Sequence, residues 1–234
     1  MDQLNKKRKR LVSAERELNP TAHTEHQLIF RDVYNIDRAL PVLESGHGYR
    51  DFELPDQNIL RIRVLHPDKP EHVSGADIIY ERHSPDKDQA SIVAVQYKIW
   101  KGKSLLLSER TQKQLDRLNK FICERKLCED KTAVGAYRFP FCAAFLRPTD
   151  KLQTANQKYI STGEHIPICR IGGAPKHEYK KIKSISLNSE VFEDFFNKGK
   201  IGSRHLTYRE LSSLYKEYAI AAEDSVIIHA QEFQ

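Results

Sequence analysis

Asp77, within Gly75-Ala76-Asp77-Ile78-Ile79, and the triplet Gln96-Tyr97-Lys98 hold the side chains of this sequence best suited to chemistry. Residues two apart on a strand point the same way, so Gln96 and Lys98 share a face. An amide oxygen and an ammonium placed together inside a sheet lose hydration. That loss is tolerable where a metal ion, a phosphate and a neighbouring carboxylate satisfy them, and Asp77 on the adjacent strand offers the carboxylate. Acidic-x-Lys triplets also occur at Glu124-Arg125-Lys126, Glu129-Asp130-Lys131 and Glu178-Tyr179-Lys180. Those fall on a solvated helix, in a charged loop and in the basic run KHEYKKIK, whereas Gln96 to Lys98 ends an apolar strand that follows an Asp-bearing one.

The elements that must position these residues are runs rich in β-branched side chains: Ile59 to Leu65, Ala76 to Tyr80 and Ser91 to Trp100. Turn formers separate them, which predicts consecutive strands of one sheet. Residues 109–126 follow with Leu115, Leu118 and Ile122 at helical spacing under a charged face. Upstream, the spacing of Leu28, Ile29, Val33, Ile36, Leu40 and Leu43 predicts a helix from His26 to Leu43, shortened or bent by Pro41. Downstream, strands are expected within Val134 to Leu146, His165 to Ile171 and Ile182 to Leu187, helices at Glu190 to Phe196 and Tyr208 to Ala222, and a short strand at Val226 to His229. Mixed strands and helices without a repeat define an α/β class, with a mixed central sheet flanked by helices.

The chain has 234 residues, enough for one larger domain with a sizeable core. Residues 1–20 carry six basic and three acidic side chains, including Lys6-Lys7-Arg8-Lys9-Arg10, so half of the net charge of +6 sits there. This segment reads as a basic, mobile or loosely helical arm, and residues 21–234 as a single domain. The charge suits a polyanionic partner without naming one. The longest apolar run, Phe139 to Leu146, is broken by Pro140 and is far short of the ~20 residues of a membrane span, and no secretory leader is recognisable. A cytoplasmic protein with reduced thiols is expected.

Taken together, the two strands and the helix carrying Gln114-Leu115-Asp116 resemble the PD-(D/E)XK nuclease superfamily, which has a restriction-endonuclease-like core. The resemblance covers residues 26–170 and leaves 171–234 as a C-terminal extension. Gln96 stands where Glu or Asp is commoner, as in relatives similar to Mrr-type restriction enzymes and anti-phage effectors. The resemblance implies a Mg²⁺- or Mn²⁺-dependent DNA endonuclease. In such a site Asp77 and the Gln96 oxygen hold the metal with help from the Tyr97 carbonyl, and Lys98 orients or activates the attacking water. With Gln96 neutral, a further acid would help: Glu44 occupies the region from which relatives contribute one, and Glu81, on the face of Asp77, is the rival. DNA contacts would come from Lys101 and Lys103, from Arg110 and Lys113 on the helix, and from Lys200 and Arg204 in the loop GKIGSR. The resemblance further implies a role in bacterial anti-phage defence beside an ATPase, helicase or sensor partner, with homo-oligomerisation as an open option.

Two other readings remain. The same fold could be a catalytically idle module holding nucleic acid or protein. Cys123, Cys128, Cys142 and Cys169 could instead close a structural zinc site, but they lack paired-knuckle spacing, and zinc is not expected. No Gly-rich phosphate loop occurs, so nucleotide hydrolysis has no support.

Overall fold

Alternation of apolar side chains at the centre of the chain builds its sheet. The computed structural model describes residues 2–18, 25–30, 33–34, 40–46, 48–65, 73–99, 104–129, 143–149 and 163–218. β1 (Val42–Gly46), β2 (Tyr49–Glu53), β3 (Ile59–Val64), β4 (Ile78–Ser84) and β5 (Gln89–Ile99) form an antiparallel meander in chain order. β5 then pairs in parallel with β7 (Ala144–Thr149), which continues through β8 (Glu164–Pro167) to β10 (Leu187–Asn188). β11 (Leu206–Thr207) shares the β7 edge of β5 at its opposite end, giving a mixed sheet of nine strands among the described residues. β6 (Ser104–Leu106) and β9 (Lys176–Glu178) form a separate ribbon. The protein is of the α/β class, as expected.

Helices cover both faces. On one side α3 (Glu109–Leu118) and α6 (208–218) pack Leu115, Leu118, Leu211 and Leu214 against Ile79, Ile92, Ala94 and Leu146. On the other, α2 (Glu25–Phe30) and α5 (Ser189–Asn197) pack Ile29, Phe192 and Phe196 against Ile62, Ile78, Val95 and Tyr97. Each large side chain so buried contributes about 1.5–3 kcal/mol. α1 (Asp2–Leu18) turns the basic arm into a helix, and α4 (Tyr179–Lys183) lies between β9 and β10. Ser108 caps α3 by accepting the Thr111 N–H at 3.2 Å, and Asn188 caps α5 by accepting that of Val191 at 2.8 Å. Thr207 and Glu210 exchange backbone-to-side-chain bonds at the start of α6, a capping box. Glu210 is pulled down to about 2, first by its hydrogen bond from Arg204 and then by the Thr207 N–H.

Several sequence expectations are corrected. The helix expected over His26 to Leu43 ends at Phe30 as a regular helix, and Val42–Gly46 is an edge strand hairpinned to β2. Pro41 has no N–H to continue a helix, and its carbonyl instead accepts the Glu53 N–H at 2.9 Å. The strand expected from Ile182 is helical until Lys183, with Lys180, Lys181 and Lys183 in a C-terminal turn that favours cations. β4 runs on to Ser84, leaving only a short 3₁₀ turn at Pro85–Lys87 before β5. The strand expected at Val226 to His229 lies outside the described residues.

Candidate active site

The tight turn after Ser84 sets the register of the β4–β5 hairpin. Ile78 pairs with Val95 and Ser84 with Gln89, which places Asp77 directly opposite Gln96. Asp77 precedes the assigned strand but already belongs to its ladder, donating its N–H to the Val95 carbonyl at 2.9 Å. Gly75 makes this approach possible. Its φ of +71° is one that glycine adopts without strain, and a Cβ there would stand 2.2 Å from the Gln114 carbonyl oxygen of α3.

The Asp77 carboxylate is buried, and its Oδ2 accepts two hydrogen bonds of 2.6 Å, one from Gln96 Nε2 and one from the Tyr97 N–H. Gln96 Nε2 also approaches the Tyr97 carbonyl at 3.3 Å. With its nitrogen so engaged, the buried Gln96 Oε1 finds no donor among the described residues. A buried oxygen without a donor is costly unless a cation or another donor satisfies it. Tyr97 itself packs in the core, and its hydroxyl accepts a bond from Arg147. Lys98 is the outermost of the three, and its ammonium lies 3.2 Å from Glu25 Oε2 in the first turn of α2.

Asp77, Gln96 and the Tyr97 backbone are thus brought together, while Glu44 is not. It sits exposed on β1, paired with Asp51 and hydrogen-bonded to Tyr49, whose hydroxyl it pushes to higher pKa. Three strand spacings separate β1 from β4, about 14 Å, which is too far for one metal ion. Glu81 is also committed elsewhere, four residues or about 13 Å along β4 from Asp77. It is fully buried and accepts hydrogen bonds from Arg63, His83 and the Tyr215 hydroxyl. Burial pushes its carboxyl up, but the bond from His83, the charge and bond of Arg63 and the Tyr215 bond together hold it below its ordinary value. The same burial, with Glu81 beside it, raises the Tyr215 hydroxyl well above its ordinary value.

The acid that reaches Lys98 is Glu25, which the sequence alone did not single out: it lies 73 positions from Lys98. Its position at the head of a short helix is the only local signal. Among the proposed DNA contacts, Arg110 and Lys113 are exposed on α3, and Lys101 and Lys103 lie outside the described residues. Lys200 and Arg204 belong to the far end of β5, where Ser203 donates its N–H to the Ile92 carbonyl, about 13 Å before Gln96. Arg204 is moreover paired with Glu210 at 2.8 Å. These two therefore do not join the face around Lys98.

Gln96 turns its Nε2 toward Asp77 and the Tyr97 carbonyl, so it is with that amide turned over that a hard divalent ion would find one carboxylate, one amide oxygen and one peptide carbonyl, all oxygen donors of the kind Mg²⁺ prefers. The Gln96 oxygen without a donor is the observation that fits such an ion. No cluster of three or more His, Cys, Asp or Glu side chains suited to a metal occurs among the described residues. Cys128 Sγ accepts the Ala143 N–H at 3.2 Å, and Cys142 lies outside the described residues. No helix among the described residues is long and apolar enough to cross a membrane. None of the protein-family models, curated proteins or solved structures matches the chain.

Proposed function

We propose that the protein is a metal-dependent phosphodiester hydrolase acting on DNA, with Asp77, Gln96 and Lys98 as its working residues. The observation that carries this reading is the cross-strand pairing of Asp77 with Gln96, which sets a buried amide against a carboxylate and leaves the amide oxygen without a donor among the described residues. The order β4, β5, α3, then β7 parallel to β5 agrees with a restriction-endonuclease-like core. Asp77 and the Gln96 and Tyr97 oxygens would hold Mg²⁺ or Mn²⁺, which when bound polarises the phosphate and makes water a better nucleophile. Lys98 orients that water and offsets charge on the phosphorane, and Glu25 holds the Lys98 ammonium in place. Arg110 and Lys113 supply exposed cations for the backbone, which set affinity and salt dependence rather than sequence preference. A defence role beside an ATPase or sensor partner rests on the family resemblance.

One observation favours the idle binding module instead. Asp77 is 1% exposed and Gln96 0%, so their hydrogen bonds form a closed network unless the site opens. Incubation with plasmid in Mg²⁺ and in EDTA, beside Lys98→Ala, separates the two readings. Cleavage by wild type only, and only with metal, is the expected result. DNA binding with no cleavage under any condition supports the idle module, and equal cleavage by Lys98→Ala defeats the assignment.

A further inference from the structure

On the sheet face that carries Asp77, toward the turn end of β4, a second group of reactive side chains surrounds a cavity of about 580 Å³. Small-molecule sites typically measure roughly 300–1,000 Å³. The cavity opens between β3, β4 and α6, and its polar walls are built in advance. Arg61 grips Asp51 through Nε and Nη2 at 2.8 and 2.6 Å, and Arg63 grips the buried Glu81 through the same two groups. The Nη1 donors of both arginines remain uncommitted to those carboxylates. Arg61 lies over the Tyr49 ring at 4.4 Å and Arg63 over that of Tyr215 at 5.4 Å. Two guanidinium groups so fixed lose little freedom when they meet an anion.

Charge and shape then select the ligand. Arg61, Arg63 and the exposed Lys216 bring three cations to the cavity, against two carboxylates that are almost wholly buried, Asp51 at 5% and Glu81 at 0% exposure. Each arginine is paired with one of those carboxylates, so the excess of one positive charge rests on Lys216. Tyr208 and Tyr215 add aromatic surface, the His83 ring stands 5.6 Å from that of Tyr208, and Ser212 adds a hydroxyl at the lining. A bare anion would leave those rings unused, and an apolar molecule would leave the Lys216 ammonium and the outward N–H groups of the arginines without an acceptor. A ligand with a flat, hydrogen-bonding ring joined to a phosphate uses both.

We propose that this cavity binds a nucleoside monophosphate group, its phosphate on Arg61, Arg63 and Lys216 and its base against Tyr208 and Tyr215. The group is either a free nucleotide or the terminal nucleotide of a strand. The proposal goes beyond the hydrolase reading and does not depend on it, since binding needs no metal.

The test uses full-length Lys98→Ala protein in EDTA, titrated by calorimetry with 5′-AMP, 5′-dAMP and a short oligodeoxyadenylate with and without a 5′-phosphate. Saturable binding is expected, weakened at least tenfold by Lys216→Glu and abolished by Ser212→Trp, which fills the mouth from an exposed position. Binding of the mononucleotides identifies a free nucleotide as the source. Preference for the 5′-phosphorylated strand alone identifies a strand end. The proposal is overturned if none of the four probes binds, if Ser212→Trp leaves binding unchanged, or if inorganic phosphate competes as well as the nucleotides. Plasmid cleavage by the wild type in Mg²⁺ is read separately, so either idea can fail without the other.

Discussion

Lys98 Nζ and Glu25 Oε2 meet at 3.2 Å, tying the end of the central strand to the head of α2. The pair is partly enclosed, with the lysine side chain 13% exposed, so the contact fixes where the ammonium stands. If Lys98 orients water, Glu25→Gln should keep the fold and lower kcat by about 10²-fold, the usual effect of misplacing a reacting group by an ångström. KM should change little, because Glu25 acts through Lys98 rather than on substrate. Steady-state cleavage of a fluorogenic DNA substrate provides the check, and an unchanged kcat would remove Glu25 from the site.

Replacing Gln96 by Glu makes the metal question one of stability. A carboxylate there faces Asp77 across the strands, loses the 2.6 Å donor bond, and buries two like charges together. Without metal the variant should lose about 1–3 kcal/mol. Mg²⁺ should restore most of that loss, since a cation binding only the folded state stabilises it by mass action. Urea unfolding of Gln96→Glu and wild type, each with Mg²⁺ and with EDTA, reads this without any activity. Failure of Mg²⁺ to restore the variant would argue against an ion between these strands.

The parts of the fold that were legible in the sequence are those where burial imposes a period. β3 alternates in burial, β5 is buried without a break from Ala90 to Tyr97, and α3 and α5 bury Leu115, Leu118, Phe192 and Phe196 at helical spacing. The turn residues Pro85 to Asp88 close the β4–β5 hairpin, so the facing of Asp77 and Gln96 follows from turn position and chain distance. β1 was not legible because it is a sheet edge, and four of its five residues are exposed, which leaves no pattern. Glu25 and the Arg63–Glu81–Tyr215 cluster were not legible either. The Glu81–Tyr215 bond spans 134 positions, and nothing local marks either end.

Gly75 links α3 to the candidate site, and its replacement should show how tightly. In Gly75→Ala the new Cβ would stand 2.2 Å from the Gln114 carbonyl and 2.8 Å from the Leu118 nitrogen, both backbone atoms. Side chains cannot yield there, so α3 must move off β4. The positive φ alone costs about 1 kcal/mol or more for a residue with a side chain. Loss of at least about 2 kcal/mol in urea unfolding is expected, along with reduced cleavage, since Asp77 lies two residues on. A variant as stable as wild type would mean that the helix and strand do not constrain each other here.

His165 should make the fold sensitive to mild acid. Its ring is buried and stacked on Phe192 at 3.7 Å, and burial followed by the nearby Arg147 charge holds its pKa well below the ordinary value. In the unfolded chain the imidazole takes up a proton near its usual pKa of about 6.5, while in the folded protein it stays neutral. The unfolded state therefore binds more protons below that pH, and stability falls as pH falls. Above about 6.5 this contribution is constant, and below it the loss approaches about 1.4 kcal/mol per pH unit. His165→Phe keeps an aromatic ring on Phe192 and removes the titration, so its stability should fall less than that of wild type between pH 7 and pH 5. Urea midpoints across that range decide the matter, and parallel curves for the two proteins would show that His165 is not the acid-sensitive group.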